Sequence, residues 1–380
     1  MSSSALVLAA GDGTKQVSAV AGGEDGANAT RLSGLAAPTM QLRGHRGAVL
    51  CARFSPDGAL LVTAGMDRTV RLWDVYARDC RNTLTLGGHG AAVLDVAWAP
   101  DGAALVTASA DRTLALWDAA TGARLRRFAG HRHAVNACAV PRPWRTDALY
   151  DDALLCRADV ARPLFASVGD DAAARVWDPR AGTRHCSAVA HRHTCPLTAC
   201  TFGADAADTL FVAGLDGTVL GLDLRRLSSD GGSEGSTTSA TSTGAAAAVR
   251  LTLSGHRDTV TGLALSRDGA FVLSNAMDAQ LRVWDVRPYA PATRCVKILV
   301  GHTHGAERNL LRCAWAPSSR HVAAGSSDGV VSVWSTTSRA VVHRLAGHAG
   351  SVNDVAFSPR EPVLASAGSD GTVILGEVLL

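Results

Sequence analysis

The chain reads as short runs of apolar residues with polar ones interleaved, each cut off after five or six positions by turn residues. Val49-Leu50-Cys51-Ala52-Arg53-Phe54 and Leu60-Leu61-Val62-Thr63-Ala64 are two such runs, with Ser55-Pro56-Asp57-Gly58 between them as a turn signal. A third run, residues 69–74, alternates apolar with polar positions, as a strand does. A fourth precedes the next Gly-His pair, and the cycle of four begins again. The pattern predicts an all-β chain built of small four-stranded units.

The cycle is a repeat. A Gly-His pair leads to a Trp-Asp pair 28 residues on, as His45 to Trp73, His89 to Trp117 and His256 to Trp284. Insertions stretch the same frame from His131 to Trp177 and from His302 to Trp334. Two copies are degenerate: His191 follows Ala and leads to Leu222, and His348 leads to Gly376. All seven carry Asp six residues before the Trp position: Asp67, Asp111, Asp171, Asp216, Asp278, Asp328 and Asp370. Four strands per unit, recurring at roughly 44 residues, resemble the WD40 β-propeller family. The resemblance covers residues 35–380 and implies a seven-bladed propeller. The seventh copy stops after its third strand, and Thr39-Met40-Gln41-Leu42 is a spare strand ahead of the first Gly-His. Placed on the last blade, it closes the ring and removes two open edges.

In WD-repeat proteins the His, a Ser or Thr, the turn Asp and the Trp indole form a buried hydrogen-bonded tetrad. The resemblance implies four complete tetrads here: His45, Thr63, Asp67, Trp73; His89, Thr107, Asp111, Trp117; His131, Ser167, Asp171, Trp177; and His256, Ser274, Asp278, Trp284. Val212 and Ala324 replace the hydroxyl in the fourth and sixth copies, and the seventh lacks the Trp, so these three blades are expected to rest more on packing. Residues 1–34, rich in Gly and Ala, are expected to be a disordered tail. An insertion at 141–163 interrupts blade three and carries Trp144 and Tyr150, while Ser/Thr/Gly-rich 228–248 reads as a flexible loop between blades four and five.

Composition sharpens this picture in a few places. Hydrophobic residues at 47% and charged residues at 19% of 380 exclude a wholly disordered chain. Eight Trp against seven Phe and three Tyr is unusual, and five of those Trp stand at the repeat position. A net charge of +3 does not suggest a protein that wraps nucleic acid. No apolar run approaches the ~18 residues of a membrane span, so no membrane partner is expected. The start, MSSSALVLAAGDG, has no basic segment ahead of its apolar one, and no secretory signal is expected. Nine cysteines without a CxxC pair read as reduced thiols.

Three constellations invite chemistry. Ser/Thr, His and Asp recur as in a hydrolase triad, but nucleophilic sites do not come in rings of identical copies, so no enzyme is expected. His185, Cys186, His191, His193, Cys195 and Cys200 form a dense cluster, yet their spacing fits no common zinc ligand pair, so neither metal nor cofactor is expected. The residue after the repeat His is Arg in four copies, Arg46, Arg132, Arg192 and Arg257, with His133 and His193 following two of them. With Met66 and Met277 they make a candidate partner-binding rim on one face of the propeller, suited to an acidic peptide or to phosphate.

Residues outside the repeat frame resemble one branch of the family. LSNAMDAQLRVWDVRPYAPATRCVKI from Leu273, NLLRCAWAP from Asn309, TTSRAVVHRLAGHAGSVNDVAFSP from Thr336, LAAPTMQLRGH from Leu35 and LWDVY from Leu72 are similar to the spliceosomal WD-repeat subunits of the U5 small nuclear ribonucleoprotein. That resemblance implies a nuclear, non-catalytic scaffold in pre-mRNA splicing. It implies docking on the large U5 core protein beside other spliceosomal proteins, with snRNA contacted indirectly and no small-molecule substrate. Two other readings stay open. Trp177-Asp178-Pro179-Arg180 and Trp284-Asp285-Val286-Arg287 fit the W-D-x-R motif of substrate receptors of cullin-type ubiquitin ligases. The bare repeat frame also fits a generic signalling scaffold.

Overall fold

Each repeat folds as one antiparallel sheet, and the seven sheets stand as the blades of a propeller around a central channel. The computed structural model describes residues 7–8, 33–77, 80–141, 164–179, 188–204, 208–226, 249–291 and 293–379. The tail, apart from 7–8 and 33–34, the insertion at 142–163 and the loop at 228–248 lie outside these residues, as do Arg180, His185 and Cys186. The innermost strands, in order of blades, are Val49–Phe54, Val93–Trp98, Val135–Ala139, Leu197–Phe202, Val260–Leu265, Cys313–Trp315 and Val352–Phe357. Each packs on the inner strands of its two neighbours, and the last packs on the first.

Polar side chains stitch neighbouring inner strands together. Asn136 Nδ2 donates to Leu197 O at 2.8 Å, Thr261 Oγ1 to Leu311 O at 2.7 Å and Asn353 Nδ2 to Val49 O at 2.8 Å. Thr198 Oγ1 makes the same step to Val260 O. These groups are buried, so each bond also avoids the cost of an unsatisfied polar atom, about 1–3 kcal/mol. Apolar cores fill the wedges between blades. Val62, Leu72 and Leu86 of blade one meet Val93, Val96 and Trp117 of blade two in one such cluster.

The ring closes through the start of the chain. Thr39–Arg43 pairs antiparallel with Thr372–Glu377, from Thr39 opposite Gly376 to Arg43 opposite Thr372, and supplies the outer strand of blade seven. Leu35 and Leu42 lie in the same buried cluster as Phe54, Trp73, Val363 and Leu375, so the seam is also packed. Val7–Leu8 departs from the expected tail: it pairs with Ala346 and Leu345 as a fifth strand on blade six.

Candidate functional site

The loops entering the inner strands and the turns carrying the repeat Asp lie on one face, and the tetrads hold them there. In blade one, His45 Nδ1–H donates to Asp67 Oδ2 at 2.9 Å, and the Thr63 hydroxyl donates to His45 Nε2 at 2.8 Å while accepting Trp73 Nε1–H at 2.8 Å. The geometry repeats for His89, Asp111, Thr107 and Trp117; for His131, Asp171, Ser167 and Trp177; and for His256, Asp278, Ser274 and Trp284. Thr63, Thr107, Ser167 and Ser274 are fully buried. In these four blades the Ser/Thr–His–Asp line ends on a hydroxyl sealed inside the blade.

Burial drives the His45 and His256 rings below the ordinary histidine range, with the neighbouring Asp only partly opposing it. Burial works against the ionised Asp171, but His131 and the Arg132 amide outweigh it and hold the carboxyl at about 2. In blades one and five the stable state is thus a neutral ring donating to a carboxylate.

The other three blades depart from this frame in different ways. Blade seven keeps more than packing: His348 Nε2 meets Ser366 Oγ at 2.9 Å and His348 Nδ1 meets Asp370 Oδ2 at 3.2 Å, and only the indole is missing. In blade six His302 turns to Asn275 Oδ1 at 2.9 Å, and Trp334 Nε1–H donates to Val300 O at 2.9 Å. In blade four His191 is drawn into the outer strand of blade three, Ala188–Arg192, and Asp216 faces His193 instead, with Nε2 to Oδ2 at 3.4 Å. His193 is accordingly half-buried, less open than the exposed rim arginines.

The rim itself is built on the tetrads. The backbone amides of Arg46, Arg132 and Arg257 each donate to the tetrad Asp at 3.1 Å, which fixes the Cα positions and leaves the guanidinium groups exposed. Arg192 ends its strand, exposed, and His133 is exposed beside Arg132. Met66 is 56% exposed, whereas Met277 is half-buried and offers less apolar surface. Sequence reasoning missed Arg68 and Arg112, which follow Asp67 and Asp111 in the turns and are exposed on this face. Their signal was the position after the repeat Asp. Arg46, Arg68, Arg112, Arg132 and His133 together make blades one to three the basic half of the face.

The channel holds a feature that no repeat pattern announced. Arg312, just ahead of the inner strand of blade six, reaches across to pair with Asp95 of blade two. Its Nη2 donates to Leu94 O at 3.0 Å and to Asn136 O at 3.2 Å. Asp95 Oδ2 also accepts the Cys138 amide at 2.9 Å. Arg53 and Asp354 form a second pair between blades one and seven. Below these bars lies a cavity of about 580 Å³ lined by Cys138, Cys200, Thr261 and Arg267. Burial pushes the channel thiols up, Cys313 to about 12, so they are protonated and poor nucleophiles.

The WD domain, G-beta repeat family matches residues 36–74, 80–118, 248–285, 293–335 and 339–375, that is, blades one, two, five, six and seven. The chain is similar to the U5 small nuclear ribonucleoprotein 40 kDa protein of Homo sapiens, at 40% identity over 98% of this chain and 93% of that protein. It is similar to pre-mRNA-splicing factor cwf17 of Schizosaccharomyces pombe at 36% identity, covering 93% and 92%. The U5 40 kDa protein of Dictyostelium discoideum is 34% identical, covering 92% and 86%.

Proposed function

Since the chain belongs to the WD40-repeat family, in the branch of the U5 small nuclear ribonucleoprotein 40 kDa protein, we propose that it is a non-catalytic scaffold of the spliceosome, acting in the nucleus in pre-mRNA splicing. The observation that carries this reading is the extent of the likeness, which runs through all seven blades and not through one or two repeats. A single repeat frame is shared by propellers of many functions. The docking partner is the large U5 core protein, with snRNA held at second hand. The docking surface is the basic half of the loop face, where amide-tethered Arg46 and Arg132 present fixed cations to an acidic segment of the partner. Such a rim steers encounter and sets register more than it supplies raw affinity.

The cullin-adaptor reading gains little support. Arg287 spends its Nε and Nη2 on the Asp285 carboxylate and lies over the Phe271 ring, and Arg180 lies outside the described residues. Affinity purification of the tagged chain from nuclear extract separates the readings. The large U5 protein and U5 RNA are expected with the wild type, and both are expected to fall at least tenfold with Arg46→Glu/Arg132→Glu. Recovery of a cullin adaptor without snRNA would overturn the spliceosomal assignment, and unchanged recovery by the double variant would move docking off this face.

A further inference from the structure

We propose that His193, Cys195 and Asp216 form a zinc-binding site that stands in for the missing tetrad of blade four. The expectation of no metal came from spacing within 185–200 alone. The fold sends Cys200 into the channel and His191 into a strand, but it brings His193 and Cys195 against Asp216, a ligand from a turn beyond that stretch. One donor atom from each of the three lies within 4.8 Å of the others. His193 Nδ1 is 3.1 Å from Cys195 Sγ. With Zn–N near ~2.0 Å and Zn–S near ~2.3 Å, a tetrahedral pair stands about 3.5 Å apart, so the two need open only slightly to admit the ion.

The local structure offers this histidine no tetrad to join. Val212 stands where the hydroxyl belongs and Leu222 where the indole belongs, both fully buried. Asp216 accepts from Thr218, through N at 3.1 Å and Oγ1 at 2.6 Å, which orients the carboxylate without neutralising it. Nitrogen, sulfur and oxygen donors in one half-buried cluster are the ligand set of zinc and not of calcium or magnesium. Asp216 Oδ2 faces His193 Nε2 and Cys195 faces Nδ1, so the ion takes one of the two ring nitrogens with Sγ and one Asp216 oxygen, the ring turning to present it, and the thiol proton leaves to solvent. Asp216 is exposed, so the fourth position opens on the loop face, to water or to a donor from a bound partner. The cross-link reinforces the His193–Asp216 contact between the entry loop and the Asp turn, which in blade four has neither the hydroxyl nor the indole behind it.

Cobalt(II) titration of the reduced, chelator-stripped full-length chain tests this. One equivalent is expected to bind with a thiolate-to-metal charge-transfer band, to be displaced by zinc, and zinc is expected to raise the thermal midpoint. Cys195→Ser is expected to abolish the band and the shift, and Asp216→Asn to weaken binding at least tenfold. His343→Ala, on the outer strand of blade six, is expected to leave both intact. Absence of the band in the wild type, or its persistence in Cys195→Ser, would overturn the site.

Discussion

At Asp67 four donors converge on two carboxylate oxygens: the His45 ring, the Arg46 and Thr69 amides and the Thr69 hydroxyl. One side chain thereby fixes a loop, a turn and the foot of a rim arginine. Outside these nodes, the buried ring of blade six is sensitive to acid. Burial, reinforced by the His304 charge, takes His302 from 6.5 down to about 4, and its Nδ1 has no partner in the fold. A ring held low is neutral when folded and gains its proton more readily when unfolded. Its contribution is therefore whole above pH 6.5 and is lost as pH falls through 6.5 toward 4, about 3 kcal/mol in all. Asp67, Asp278 and Asp370, also held low, add a further loss below 3.8. Urea midpoints are expected to drop between pH 7.5 and 5, and His302→Gln is expected to flatten that slope. Identical slopes would show that His302 is not the titrating group.

Within the elements, the turn after each repeat Asp places one residue in the left-handed region. In blades one, two, three and five that residue is Arg68, Arg112, Ala172 or Ala279, with φ of 56° to 68°; in blades four, six and seven it is Gly217, Gly329 or Gly371. The division follows the tetrads. A complete tetrad holds the Asp firmly enough to offset a strain of about 1–3 kcal/mol at a residue with a Cβ, and blades without one use glycine. Blade seven misses only its indole. A Cβ at Gly376 would meet nothing within 4 Å, beside a void lined by His348, Leu364 and Ser366. The gap holds only about 10 Å³, so Gly376→Trp is expected to overpack it and lower the thermal midpoint by ~2–4 °C. A raised midpoint would show that blade seven opens to seat an indole on Ser366 Oγ. The strands and most tetrads were legible because a short motif recurs at one spacing. Blade four was not, because two histidines compete there: His193, four residues ahead of Leu197 as His45 is of Val49, holds the entry-loop position, and His191 lies two residues too early, in the preceding strand.

Across the whole molecule, the Arg312–Asp95 bar ties blade six to blade two through the channel. It was hidden in the sequence because its partners sit in one repeat column, Cys51, Asp95, Ala137, Ala199, Gly262, Arg312 and Asp354, whose members share no chemistry. Arg312→Ala would strand a buried Asp95, a loss of ~3–5 kcal/mol, while Arg312→Met with Asp95→Ala is expected to cost clearly less than the two single changes together. Additive costs in urea unfolding would show that the two charges do not interact. The seam of the ring has a consequence in time. Arg43 leaves the ribosome about 330 residues ahead of Thr372, yet they are neighbours in blade seven. At ~5–20 residues per second the first strand waits on the order of tens of seconds for its mate. Through that interval the nascent propeller is an open arc with an adhesive end, and its yield in the cell depends on what shields that end until blade seven emerges.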